Sequence, residues 1–163
     1  MAELSRLDPA SEGALEAQRR WIQERARHPR FVGQLEPADA RGFARNPSCG
    51  DTVAVSLRFS RPPDQVQAIR CAVRGCVLCS VSADLMAELV SRQTPGVIAA
   101  MVSGVSALLR GQQPEPAVAA RLAPMAILAR LPARARCVLL PWQALLQALE
   151  LEQGRDGESA ASG

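Results

Sequence analysis

Residues 52–60 read Thr-Val-Ala-Val-Ser-Leu-Arg-Phe-Ser, with Val53, Val55, Leu57 and Phe59 at every second position. Successive side chains of an extended chain point to opposite faces, so this period of two predicts a strand with one face buried. Downstream, Pro62-Pro63-Asp64 is a turn signal and Val66 to Val73 a second apolar run, which together predict an antiparallel hairpin. Upstream, Arg41 to Arg45 can add a short edge strand. At Gly75-Cys76 the period changes. Leu78, Ser82, Leu85, Met86 and Leu89 follow at steps of three and four, so a strand runs into a helix that starts near Cys76 and ends before Pro95.

Helical spacing continues beyond. Val97 to Leu109 predicts a second helix of this half, Pro116 to Leu128 a third with a break at Pro124, and Cys137 to Leu149 a fourth with Pro141 in its first turn. Before the sheet, Ser11 to Arg27 carries Leu15, Trp21, Ile22 and Ala26, predicting an amphipathic helix. The fold class expected is α/β (α+β): a small antiparallel three-stranded sheet packed against several helices. One domain is expected over residues 12–150, with 1–11 and 153–163 as flexible termini, the latter small and polar.

The 163 residues are 48% hydrophobic and 21% charged, the composition of one globular domain. No apolar run spans a bilayer, and Glu3, Asp8 and Glu12 break the pattern of a signal peptide, so a cytoplasmic protein with no membrane partner is expected. All 19 basic residues are arginine and the formal net charge is +3. Residues 52–148 concentrate the positive charge, which suits an acidic protein partner through steering of encounter. Nucleic acid is not expected: base stacking needs surface aromatics, and the chain has only Phe31, Phe43, Phe59, Trp21 and Trp142.

Five cysteines in a reducing compartment point to metal or thiol chemistry rather than to disulfides. Cys49 precedes a strand, Cys76 sits at a strand-to-helix junction, and Cys137 opens the last helix. A helix N-terminus favours a thiolate, so lowered pKa values are expected at Cys76 and Cys137, the latter beside Arg134 and Arg136. Asp51 falls on the same side of an extended segment as Cys49 and can add an oxygen ligand. Three thiolates and a carboxylate suit zinc; three thiolates with a replaceable fourth position also suit an iron–sulfur cluster. The spacings, 27 and 61 residues, frame no zinc knuckle, and buried packing is the plain alternative for each cysteine. Cys76-Val-Leu-Cys79 matches C-x-x-C formally, but Cys79 lies on a stretch that reads as core, as does Cys71.

Three blocks, Asn46-Pro-Ser-Cys-Gly-Asp51, Gly75-Cys76 with Ser82-Ala83-Asp84-Leu85-Met86, and Leu131-Pro-Ala-Arg-Ala-Arg-Cys137 with Trp142-Gln-Ala-Leu145, resemble in order and spacing the iron–sulfur cluster assembly proteins of the IscU/NifU/SufU family. His28-Pro29-Arg30 and Gly33 resemble that family's Asn-Pro-Arg entry segment, with His28 read as a surface or capping residue. A helical insertion around Val102 to Pro116 and the basic Arg136 before the last cysteine resemble the SufU branch. The resemblance implies a zinc-dependent sulfur acceptor, a sulfurtransferase-like carrier for the persulfide of a SufS-like cysteine desulfurase. It implies Cys49, Asp51, Cys76 and Cys137 as metal ligands, Cys137 as the position that receives sulfur, and Arg134 beside its thiolate. Downstream iron–sulfur scaffolds or apo-proteins are the implied recipients. Two other readings stay open: a scaffold that assembles and transfers a labile iron–sulfur cluster, and an interaction module stapled by structural zinc.

Overall fold

A computed structural model of the chain describes residues 12–60 and 65–160. Its elements are helix α1 (Glu12–Arg27), strands β1 (Ala40–Arg45), β2 (Thr52–Ser60) and β3 (Gln65–Arg74), then helices α2 (Val77–Val90), α3 (Pro95–Leu109), α4 (Pro116–Arg121), α5 (Ala126–Ala129) and α6 (Ala135–Ala160). Short 3₁₀ turns cover Ala123–Met125 and Pro132–Arg134. The strands form one antiparallel sheet in the order β1-β2-β3, so α+β with three strands is the observed class. The pairing runs to Ser60 opposite Gln65, and the Pro62-Pro63-Asp64 turn that would join those residues lies outside the described ones.

The alternation in 52–60 does what its period requires. Val53, Val55, Leu57 and Phe59 are all buried, in one core with Leu85 and Met86 of α2, Ile98 and Met101 of α3, and Trp142 and Leu145 of α6. On the other side of β2, Ser56 is also buried because residues near Leu35 cross it: its Oγ accepts the Leu35 N–H at 2.9 Å. Both sheet edges are covered. Phe31 to Gly33 pair with Cys71 on the outer edge of β3, and Gln147 of α6 accepts the Phe43 N–H of β1 at 2.6 Å. Such covers remove the free edge that would otherwise recruit another strand.

Helix α6 lies so close to β1 that only glycine fits at position 42. A Cβ there would stand 2.0 Å from the Ala144 carbonyl oxygen and 2.7 Å from the Ala148 nitrogen. At the far side of the core, Asp84 is 4% exposed and joins three elements. Its Oδ1 accepts the N–H groups of Arg30 (2.6 Å) and Phe31 (3.1 Å), and its Oδ2 pairs with Arg25 of α1 at 2.8 Å. Glu88, one turn along α2, pairs with both Arg25 and Arg30. Burial raises the Glu88 carboxyl, but the hydrogen bond from Arg25 and the two guanidinium charges outweigh it and hold the group below its usual value.

Two expectations are corrected. The segment 116–128 is broken at Pro124 as expected, but into α4, a 3₁₀ turn and the four-residue α5. Helix α6 begins at Ala135, not Cys137, so Pro141 lies inside it instead of in its first turn. The helix runs on to Ala160, through part of the segment expected to be a flexible terminus. Residues 1–11 and 161–163, the remainder of the expected flexible termini, lie outside the described residues.

Candidate metal centre

The loop between β1 and β2 is closed by its own backbone. Asn46 N–H donates to the Asp51 carbonyl, Gly50 N–H to the Asn46 carbonyl (2.9 Å each), and Ser48 N–H to Asn46 Oδ1 at 3.1 Å. Gly50 takes φ +78°, the left-handed conformation that glycine adopts without strain. The result puts Cys49 at an exposed tip and turns Asp51 inward, 7% exposed. The two residues do converge, but through a tight loop and not along an extended segment.

Cys76 occupies the N-cap position of α2, separated from β3 by Gly75 alone. Its N–H donates to Asp51 Oδ2 at 3.3 Å, which links the two loops at this end of the sheet. Gly75 lets them approach: a Cβ there would sit 2.8 Å from Asp51 Cγ. Cys137 enters from the first turn of α6 and is 5% exposed. That turn is fixed from beneath, since the buried Ser82 Oγ donates to the Val138 carbonyl at 2.6 Å.

The ligand atoms of Cys49, Asp51 and Cys137 lie within 4.8 Å of one another. Cys76 falls outside that tight group but adjoins it, tied to Asp51 through its backbone N–H. Donors on a tetrahedral zinc with bonds of about 2.3 Å stand roughly 3.8 Å apart, so Cys49, Asp51 and Cys137 fit three corners of such an ion after a small contraction. Burial raises the Asp51 carboxyl, but hydrogen bonds from the Cys76 N–H and from the thiols of Cys49, Cys76 and Cys137 more than offset it and leave the group below its usual value.

Cys137 departs from expectation. Burial, then hydrogen bonding and repulsion with Cys76 and Cys49, pushes its thiol up to about 12. The dipole of one helix turn contributes about 1 kcal/mol at most exposed sites, which desolvation and neighbouring sulfurs exceed here. Cys71 and Cys79 are core residues, as the sequence indicated. Burial and the Asp84 charge push Cys71 up to about 12, and burial raises Cys79 still further.

Arg134 ends the 3₁₀ turn and is exposed; among the described residues no hydrogen bond or ion pair joins its side chain to the thiols. The arginine that reaches the cysteine loop is Arg136, which donates to Ser48 Oγ at 3.1 Å. Sequence reasoning missed the roles of Ser48 and Gly75. A glycine directly before a ligand candidate, at a place that needs no positive φ, was the available signal for the second. His28 is an exposed residue within 3.4 Å of Glu24, one turn back on the same surface.

A protein-family model described as NifU-like N terminal domain matches residues 17–131. Over 130 residues the chain is 26% identical to the iron–sulfur cluster assembly scaffold protein IscU of Streptococcus pyogenes serotype M1, covering 79% of this chain and 80% of that protein. It is 23% identical over 137 residues to the zinc-dependent sulfurtransferase SufU of Bacillus subtilis (strain 168), covering 83% and 91%. Among solved structures, one described as a SUF-system iron–sulfur cluster assembly scaffold protein from Fervidobacterium islandicum AW-1 superposes with a TM-score of 0.70 at 25% identity, over 79% of this chain and 93% of that one. The family match stops short of Cys137, which joins the cluster through its place on α6.

Proposed function

The chain belongs to the family of NifU-like N-terminal domains, and from that premise we propose that it acts in iron–sulfur cluster assembly as a zinc-dependent sulfur acceptor for a cysteine desulfurase. The observation that carries this reading is the convergence of Cys49, Asp51 and Cys137 within 4.8 Å, with Cys76 alongside. Cys49, Asp51, Cys76 and Cys137 would hold the metal. Bound zinc would supply a positive charge that favours the deprotonated sulfur of the cysteines holding it.

The chain's own residues set up the transfer. The Cys137 sulfur attacks the outer sulfur of the donor's persulfide; the donor's S–S bond breaks, its cysteine departs as a thiolate, and Cys137 becomes the persulfide with no net oxidation. The Ser82 contact holds the turn that carries Cys137, and the Arg136 to Ser48 contact holds the loop that carries Cys49. Arg134, exposed and one turn from Cys137, is proposed to face the developing charge once a partner has covered it. Mass spectrometry after incubation with a cysteine desulfurase and cysteine is expected to show a gain of about 32 Da on Cys137. Gain on Cys76 or Cys79 alone, or no gain on protein shown to contain zinc, overturns the assignment.

A second reading has its own support. Cys49 is exposed at the loop tip, so one edge of the thiol cluster is open to an acceptor, as a scaffold handing on an iron–sulfur cluster requires. Protein purified without chelators separates the two: one colourless zinc per chain favours the acceptor, and visible absorption with transfer to an apo-protein favours the scaffold.

A further inference from the structure

The strand register brings two charges to the end of the sheet that carries the cysteines. Arg45 closes β1 opposite Thr52, and Thr52 stands opposite Arg74, the last residue of β3. Arg136, in the first turn of α6, and Arg134, just before that helix, belong to the same end, since Arg136 bonds the Cys49 loop. All four arginines are exposed. Among the described residues none of these four makes an ion pair, a trait they share with exposed arginines elsewhere such as Arg19 and Arg20; what sets them apart is that four of them gather at the end that carries the cysteines. The carboxylate within the cysteine site, Asp51, is buried and already accepts from Cys76.

Between the Cys49 loop and α6 this surface opens into a depression of about 420 Å³. Arg45 and Arg136 line it with Asn46 and Gln143, and Leu139 and Leu140 make its apolar wall. A guanidinium is planar, permanently charged and shaped to grip a carboxylate with two hydrogen bonds. Guanidinium groups beside an aliphatic wall therefore fit a glutamate or aspartate side chain set next to an aliphatic one, and the other two arginines extend the charge over several residues of a polypeptide. A nucleic acid fits less well, because Phe43 is the one exposed aromatic among the described residues.

We infer that this arginine-rich end is the docking surface for an acidic segment of the protein that delivers sulfur to Cys137. The identity of that partner as the sulfur donor rests on the proposed function; the affinity of the surface for acidic polypeptide does not. The probe is a fluorescein-labelled peptide of four Glu-Glu-Leu repeats, followed by anisotropy against the full chain, with a Lys-Lys-Leu peptide and a single-stranded oligonucleotide as comparators. The acidic peptide is expected to bind, to weaken about tenfold between 50 and 200 mM salt, and to lose at least about tenfold in affinity on Arg45→Glu/Arg136→Glu. The same charge change on α1, Arg19→Glu/Arg20→Glu, is expected to cost less than about twofold. Arg45→Gln/Arg136→Gln and Arg74→Glu, each checked by circular dichroism, guard against misfolding of the reversal variant. Equal losses for the two double reversals, no binding by wild type, or tighter binding of the oligonucleotide overturns the inference. Peptide binding without a mass gain at Cys137 leaves the surface standing and refutes the sulfur-acceptor reading instead.

Discussion

Replacing Gly75 with alanine tests how the candidate site is built. The new Cβ would lie 2.8 Å from Asp51 Cγ, 3.0 Å from Oδ2 and 3.1 Å from Cβ, against an ordinary contact of 3.4–4 Å. Asp51 must therefore retreat by about 0.6 Å, from a place where it is 7% exposed and held by the Cys76 N–H. Metal–ligand distances tolerate only about 0.2 Å, so the carboxylate leaves the donor set or drags the loop with it. Overpacking of this kind costs roughly 1–3 kcal/mol, which for a chain of this size is about 2–12 °C in Tm. Zinc affinity is expected to fall about 10–100-fold, the usual result of misplacing a group that orients a ligand set. Competition with a chromophoric chelator measures the affinity, and calorimetry the Tm. Gly96→Ala, where a Cβ meets nothing within 4 Å, is the control and is expected to leave both unchanged or the Tm slightly higher. Zinc affinity for Gly75→Ala within twofold of wild type, with Tm within about 1 °C, would refute the close approach of the two loops.

Asp84→Ala should destabilise by about 3 kcal/mol, because it leaves the Arg30 and Phe31 N–H groups without their acceptor and removes the buried partner of Arg25; urea unfolding measures it, and a loss below about 1 kcal/mol would contradict the network. Pro141→Ala restores an N–H four residues after Cys137, the donor that the Cys137 carbonyl lacks inside α6. Hydrogen exchange in the Ala135–Leu140 turn should slow by about fivefold, as expected for one added hydrogen bond near 1 kcal/mol, and unchanged exchange would show the turn to be fixed by other contacts. The raised Cys71 thiol contributes stability that is fully present below its unfolded value near 9 and is lost as pH rises towards about 12. The Tm of wild type should therefore fall more steeply above pH 9 than that of Cys71→Ala, and parallel curves would exclude the contribution. With native protein, iodoacetamide should label exposed Cys49 well before Cys71 or Cys79, a rank order read by peptide mapping.

What the sequence by itself determined was set by local rules. The period of two in 52–60 and the change of period at Cys76 carried the sheet, the strand-to-helix junction and the buried face, because alternation and 3.6-residue spacing are properties of the backbone alone. The three cysteine-bearing blocks carried the family. Proline could not be placed the same way: Pro141 reads as a helix start, yet the chain begins α6 two residues before Cys137, where Ser82 and the sheet receive it. Tertiary structure alone decided which arginine meets the cysteine loop, how near Gly75 stands to Asp51, and that Cys137 is a raised thiol instead of a lowered one. Those outcomes depend on desolvation and on contacts between residues 25 to 88 positions apart, which no local pattern encodes. The charge at the cysteine end has the same origin, for Arg45 and Arg74 become neighbours of one strand only when the register brings both opposite Thr52.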